Sequence, residues 1–600
     1  MGNPLENNIS RRKFLKSVGA GAAGAAALAA SGGILSACTS SPAVSSTLPS
    51  KWDYTADVVV AGTGAAGNAT AAVAFAHGAS VIMLEKAAAV GGTTMKSGGD
   101  PWIPNNRFLR DQGIDDNKDD CLKFMARGCY PQRYNPDDSK YGLSDYEYNH
   151  LAAFYDNGYQ AIDYFMEIGA CQFVQDILFT GKAPPDYLDH VPENKVLHGR
   201  LIAPTTTSGG VGYGVDLVRQ FRAYLDSSGI NTLLSHRAQQ LYINSNGQVI
   251  GLQAMDNSTS TPAEVNIRAN KAVVFGSGGF THNKEFIIQY QKGPTYGGCA
   301  VITNEGDLVY MAQALGAQMY NMNGAWNAEV PLEQAIQLSS TPNDIWQPTG
   351  DSMFYVNKYG VRVTNEKRDY NDRTKIHFYW DPINQEYPNQ VMCWIYDQRC
   401  KDLFAQSAGG YPMPAPGTND PAEISGQTWH DLAVNIDDHV NQLGGTIGYW
   451  RLDSSFEQNL IDTVNKFNGY ANNGKDLDFH RGEFPYDVEW YPLFSTPATG
   501  TDWPMNDKPN ITMYPLQEQG PYYCYLIGGG TLDTNGGPKV NDKCQVVDTK
   551  DSPIAGLYAA GNCSAVFMPY YIGGGATLGN ALTMGYVAGM NAAKEAEKTI

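Results

Sequence analysis

Gly62-Thr63-Gly64-Ala65-Ala66-Gly67 sets three glycines at the spacing GxGxxG, and Glu85-Lys86 follows 23 positions after the first of them. That spacing serves anion binding. Gly62 permits a tight turn, Gly64 lets the backbone approach a pyrophosphate, and Gly67 lets a helix pack closely on a strand. Ala65 and Ala66 open a helix whose N-terminus faces the anion. Glu85 stands where a carboxylate accepts hydrogen bonds from a ribose 2′-hydroxyl, with Lys86 beside it. Downstream, Gly91-Gly92-Thr93-Thr94-Met95-Lys96-Ser97-Gly98-Gly99 is a second glycine-rich stretch, and Gly561-Asn562 follows Leu557-Tyr558-Ala559-Ala560. Backbone of this kind lies against a large flat ring system, which NAD does not require and FAD does. Taken singly, the first stretch also reads as an ordinary loop and the second as a strand-to-helix turn.

These residues need a β-α-β unit to position them. Val58 to Ala61 is an apolar strand, a small-residue helix runs to His77, and Val81-Ile82-Met83-Leu84 is the second strand. Lys271 to Phe275 is a further buried-type strand, ending in Gly276-Ser277-Gly278-Gly279. Six hundred residues exceed what one core usually organises, so two packed domains or one large domain with an insertion are expected. With 42 Lys plus Arg against 61 Asp plus Glu, the net charge of −19 opposes binding to nucleic acid. Ten cysteines at scattered spacings contain no CxxC pair, so no metal site is predicted.

The first residues read as an address. Ser10-Arg11-Arg12-Lys13-Phe14-Leu15-Lys16 precedes a weakly apolar Gly/Ala run from Val18 to Leu35, the layout of a twin-arginine export signal. The competing reading is one transmembrane helix, for which the many glycines and small residues are poor anchors. Leu35-Ser36-Ala37-Cys38 resembles a bacterial lipoprotein box, with Cys38 as the acylated residue and membrane tether. Simple cleavage that discards Cys38 or leaves it free is the alternative. We therefore expect 1–38 to be signal and lipobox and 39–51 to be linker, placing the protein on the extracytoplasmic face of the bacterial cell membrane.

Taken together, the chain from Asp57 onward resembles the flavoprotein superfamily of fumarate reductases and 3-ketosteroid dehydrogenases. Ser97-Gly98-Gly99-Asp100-Pro101-Trp102-Ile103-Pro104-Asn105-Asn106 is similar to the SGG-x-x-W-I-P-N-N run of the steroid enzymes, and Gly528 to Gly537 resembles their flavin-side loop. The most extensive match runs from Ala559 to Gly585, where Tyr571-Ile572-Gly573-Gly574-Gly575-Ala576-Thr577 resembles Y-P-G-P-G-A-T with both prolines replaced. The resemblance implies an α/β fold: a Rossmann-type FAD-binding domain over 52–320 and 514–600, with an inserted α+β catalytic capping domain over 321–513. It also implies non-covalent FAD, contacted by the residues above and by Gly561, Asn562, Ala576, Thr577 and Leu578.

Val361-Arg362-Val363-Thr364-Asn365-Glu366 is followed by Tyr370, where the superfamily's fumarate reductases carry an arginine proton donor and its steroid dehydrogenases a tyrosine. Arg368 is two positions away and is the reservation. No Arg or His follows Arg481, although a dicarboxylate site would be expected to use such cations. The resemblance therefore implies chemistry on an α,β-unsaturated carbonyl, with Tyr370 as acid and with the Tyr571 hydroxyl and the Gly575 N–H holding the carbonyl oxygen. A second tyrosine is expected to assist Tyr370, and Tyr155, Tyr159, Tyr164 and Tyr187 are all candidates. Asp186-Tyr187 with Arg200 resembles a segment near the substrate entrance, while His190 and His198 read as surface residues. Exported, tethered members of the superfamily tend to be terminal reductases fed by a membrane carrier or cytochrome. That favours reduction of a bulky ketosteroid-like or lactone enone, over steroid dehydrogenation, a fumarate- or urocanate-type reductase, or a non-catalytic electron-transfer subunit.

Overall fold

The computed structural model describes residues 43–178, 181–407, 410–496 and 506–600; the export signal and Cys38 lie outside them. The β-α-β unit forms as its sequence requires. The strand Tyr54–Ala61 pairs in parallel with Val81–Leu84, from Val58 opposite Val81 to Ala61 opposite Leu84. Between them runs the helix Ala65–Ala76, whose first ten residues are all buried. A helix this rich in Ala and Gly has little side chain to interpose, so its neighbours come close. The long helix Ala576–Lys594 crosses it so tightly that a Cβ on Gly585 would stand 2.6 Å from the Ala66 carbonyl oxygen, and one on Gly589 2.6 Å from that of Thr70.

These strands belong to a nine-stranded sheet. Ala263–Phe275 lies beside Tyr54–Ala61 and Pro553–Ala559 beside Ala263–Phe275, all in parallel. His236–Ile243 and Val249–Asp256 extend the sheet as an antiparallel ladder. The parallel strand Val81–Leu84 is buried at every position, so both of its faces are covered and it reads as a continuous apolar run.

A second, five-stranded antiparallel sheet is built from Ala325–Pro331, Met353–Val356, Val391–Asp397, Glu423–Gly426 and Tyr522–Thr534. Helices Trp429–Leu443 and Phe456–Asn473 share its apolar core. Tyr522–Thr534 pairs with three of the other four strands, so this sheet extends past position 513 and the expected return at 514 comes later. The chain rejoins the nucleotide-type sheet with Gln545–Val547 and Pro553–Ala559. Gly528-Gly529-Gly530 explains the difference. Read as a loop, it is in fact the middle of a central strand, where missing side chains make room for Tyr296, Phe378 and Val330.

Candidate active site

The three motif glycines do three different jobs. Gly62 has φ +109°, and a Cβ there would stand 2.4 Å from the Gly276 carbonyl oxygen, so no other residue fits the turn. A Cβ on Gly67 would stand 2.0 Å from the Gly62 oxygen, which is the close helix-on-strand approach expected of it. Gly64 is different: nothing lies nearer its Cβ position than Thr94 Oγ1 at 3.5 Å, leaving the backbone face open. Gly92, at φ +51°, has nothing within 4 Å, whereas Gly99 presses on the Tyr213–Gly214 peptide. Gly98 abuts the Asp100 carboxylate. The Gly64 and Gly92 faces leave room for a ligand to approach the backbone.

Polar side chains knit the cradle together. Thr94 Oγ1 accepts from the Ala65 N–H at 3.0 Å, tying the glycine loop to the helix start. The buried Glu85 carboxylate accepts from the Thr63 N–H at 3.1 Å and its hydroxyl at 2.5 Å, and from the Ala87 N–H at 2.9 Å. The Lys86 ammonium is taken up by two carboxylates of the chain itself, Glu305 at 2.5 Å and Asp307 at 3.1 Å. Thr93 Oγ1 accepts from the Val301 N–H, and the Ser97 hydroxyl donates to the Thr94 carbonyl. Gly561 packs against Ala66, its Cβ position 3.1 Å from the Ala66 Cβ, so the C-terminal motif meets the first helix. Asn562 donates to Asp533 at 3.2 Å and accepts from Trp326 Nε1 at 2.9 Å. Asp533, which the sequence did not single out, is buried and accepts from the Gly279 N–H and from Asn304, both at 2.8 Å. Burial pushes its carboxyl up.

Tyr370 and Tyr571, 201 positions apart, meet with their hydroxyls at 2.8 Å. Tyr370 begins the short helix Tyr370–Thr374, capped by Asp369, which accepts from the Asp372 N–H. Tyr571 precedes the helix Ala576–Lys594, whose first turn is Ala576, Thr577 and Leu578. The Gly575 N–H and the Thr577 hydroxyl face the Tyr571 oxygen, Thr577 without closing a hydrogen bond to it. Gly575, at φ +80°, could carry no side chain, since a Cβ would stand 1.8 Å from the Asp100 carbonyl oxygen. Thr577 Oγ1 is a buried polar atom with no protein partner, as expected where a ligand completes the site.

Around the pair stands an aromatic box. Tyr187 stacks on Tyr571 at 5.5 Å and 9°, and meets Tyr370 edge-on at 5.4 Å. Trp326 packs edge-on to Tyr571 and Trp346 to Tyr370. Burial, reinforced by the neighbouring tyrosines, pushes the Tyr370 hydroxyl well above the ordinary phenol range. Burial also raises Tyr571, against hydrogen bonds from Tyr370 and the Gly575 N–H.

Of the four candidate helpers, only Tyr187 lies here. Tyr155 donates to the Asp116 carbonyl, Tyr159 lies under Arg110, and Tyr164 lies against His77. His190 and His198 pair with Asp189 and Glu489 and stay partly exposed. Arg368 is committed elsewhere: it bonds Asp189 at 2.8 Å, Asp487 at 3.1 Å and the Tyr187 carbonyl at 2.9 Å. Arg200 is equally occupied, by Asp116 and Asp186.

The chain is similar to known proteins over most of its length. The FAD binding domain family matches residues 57–578. A 3-oxosteroid 1-dehydrogenase of Mycolicibacterium smegmatis is 30% identical over 597 residues, covering 90% of this chain and 97% of that protein. A 4-oxocyclohexanecarboxylate 2-dehydrogenase of Sinomonas cyclohexanicum is 29% identical over 575 residues, covering 90% and 93%. Among solved structures, the 3-ketosteroid delta1-dehydrogenase of Sterolibacterium denitrificans superposes with a TM-score of 0.73 at 22% identity, covering 90% of this chain and 99% of that one. The chain belongs to the FAD binding domain family, in the flavoprotein superfamily of 3-ketosteroid dehydrogenases and fumarate reductases, and is an FAD-dependent oxidoreductase.

Proposed function

We propose that this flavoprotein reduces the carbon–carbon double bond of a bulky, uncharged α,β-unsaturated ketone or lactone. One observation carries the reading: Tyr370, Tyr571 and the Gly575 N–H converge in an aromatic box, while the nearby Arg368 is consumed by carboxylates. Such a site offers hydrogen-bond donors to a carbonyl and, among the described residues, no free cation to a carboxylate.

FAD, when bound across the Gly64 and Gly92 faces, supplies hydride exchange at its N5. The chain supplies the rest. Tyr571 and the Gly575 N–H hold the carbonyl oxygen as negative charge develops on it. Tyr370 delivers a proton to the α carbon. The box of Tyr187, Trp326 and Trp346 excludes water and presents flat apolar faces to a ring.

The export motif favours the reductive direction, with electrons arriving from a membrane carrier. Burial holds the Tyr370 hydroxyl above the ordinary range, so it carries at neutral pH the proton it is to deliver. The oxidative direction is the second reading, favoured by the relatives that are named dehydrogenases.

The proposal includes export by the twin-arginine route and tethering through Cys38, supported by the Ser10–Lys16 motif and the lipobox. A membrane carrier or cytochrome would then supply electrons. Replacing Arg11 and Arg12 together by lysine should hold the protein in the cytoplasm; unchanged fractionation refutes this part.

Anaerobic mixing of the dithionite-reduced holoenzyme with 3-keto-4-ene steroids, unsaturated lactones, fumarate and urocanate tests the reaction. Return of the oxidised-flavin absorbance with the uncharged enones alone is expected. Reoxidation only by fumarate or urocanate overturns the reading. Bleaching of the oxidised enzyme by a saturated 3-ketosteroid, with no enone reoxidation, establishes the dehydrogenase.

A further inference from the structure

The loop that carries the proposed oxyanion donors, Tyr571 to Gly575, holds three consecutive glycines and no proline. Its own sequence gives it little rigidity. Yet Tyr571 and the Gly575 N–H must hold one oxygen position to within a fraction of an ångström to act together. Something outside the loop has to fix it.

Three backbone hydrogen bonds hold it, at two of its carbonyls. The Ile572 carbonyl accepts from the N–H groups of Tyr187 at 3.0 Å and Leu188 at 3.3 Å, and the Gly575 carbonyl accepts from the Trp102 N–H at 3.1 Å. The side chains behind those contacts are bonded to each other. Trp102 Nε1 donates to Asp186 Oδ1 at 2.7 Å, and Asp186 Oδ2 accepts from Arg200 at 2.6 Å. Arg200 makes a bidentate pair with Asp116, at 2.9 and 2.7 Å. All four side chains are buried. The loop is moulded onto them: a Cβ on Gly573 would stand 2.6 Å from Trp102 Nε1 and 3.0 Å from Asp186 Oδ1.

We infer that Trp102, Asp186 and Arg200 form a clamp that positions the Tyr571–Gly575 loop for catalysis. The clamp touches neither substrate nor flavin in this account, so these are positioning residues, and their role in turnover rests on the reaction proposed above. Its chemistry fits a positioning role better than a stabilising one. A buried ion pair is a weak source of stability, since desolvating both charges offsets their attraction. Here burial raises Asp186 to about 6 even with Arg200 beside it.

The test compares wild-type holoenzyme with Trp102→Phe and Asp186→Asn, reading enone-driven flavin reoxidation and amide hydrogen exchange over residues 572–576. Both substitutions leave the Arg200–Asp116 pair in place. We expect faster exchange in that segment and kcat lower by about tenfold with KM within about twofold, because the donors act mainly in the transition state. FAD content should not change. A second substitution, Gly574→Pro, stiffens the loop directly. Gly574 does not adopt positive φ, and a Cβ there stands 3.3 Å from the Tyr187 hydroxyl, a close contact to which that side-chain end must give by a few tenths of an ångström. Added to Trp102→Phe, it should slow exchange and restore most of the rate. Unchanged exchange in both single variants overturns the clamp. So does a double variant in which exchange slows while kcat stays low. If the wild type turns over no enone while exchange still responds, the proposed reaction fails and the clamp stands as a structural device.

Discussion

A buried phenol keeps the proton it is to donate when no free cation stands beside it to stabilise the phenolate. Tyr370 meets that condition: Tyr187 and Tyr571 surround its oxygen, and the arginine two positions earlier faces two carboxylates. Below its folded pKa the hydroxyl keeps its proton, and burial moves that pKa upward. In the reductive direction the rate should therefore be flat between about pH 6 and pH 9 and fall only in stronger alkali. Flavin reoxidation followed against pH measures this. A rate that declines through neutrality contradicts Tyr370 as acid, and an oxidation rate that climbs across the same range favours the dehydrogenase reading. Tyr370 and Tyr571 were legible in the sequence through motif resemblance. Tyr187 was one of four candidates, because which hydroxyl reaches Tyr370 depends on how separate segments fold against each other. Asp533 carried no local signal at all, since its partners Gly279, Asn304 and Asn562 come from three different stretches of chain.

At the level of elements, the β-α-β unit was readable because its determinants are local. Gly62 and Gly67 are explained by atoms within the unit and by one returning strand end at Gly276 and Ser277, while Gly64 is left open. The second sheet was less readable. Tyr522–Thr534 mixes aromatics, three glycines and polar residues, so its periodicity does not announce a central strand, and only pairing with Val391–Asp397 and Ala325–Pro331 makes it one. Lys86 shows the same limit. Its place beside Glu85 in sequence points to the cofactor, whereas the fold brings Glu305 and Asp307 to it across more than two hundred positions. The missing loop prolines read as lost rigidity in sequence, while in the fold Trp102 and Asp186 lie against the same loop.

On the scale of the whole molecule, a parallel sheet carries the nucleotide cradle and an antiparallel sheet carries Trp326 and the approach to Tyr370. The first layer is common to enzymes with very different substrates, so substrate class has to be argued from the second. Here the second layer delivers aromatic rings and a phenol. The measurement that bears most directly on this account is single-turnover reoxidation of dithionite-reduced Tyr370→Phe holoenzyme by an enone, beside the wild type. The account predicts a rate lower by about three orders of magnitude, with FAD and enone still bound. Reoxidation within a few-fold of the wild type would contradict it, and would move the proton donor away from Tyr370.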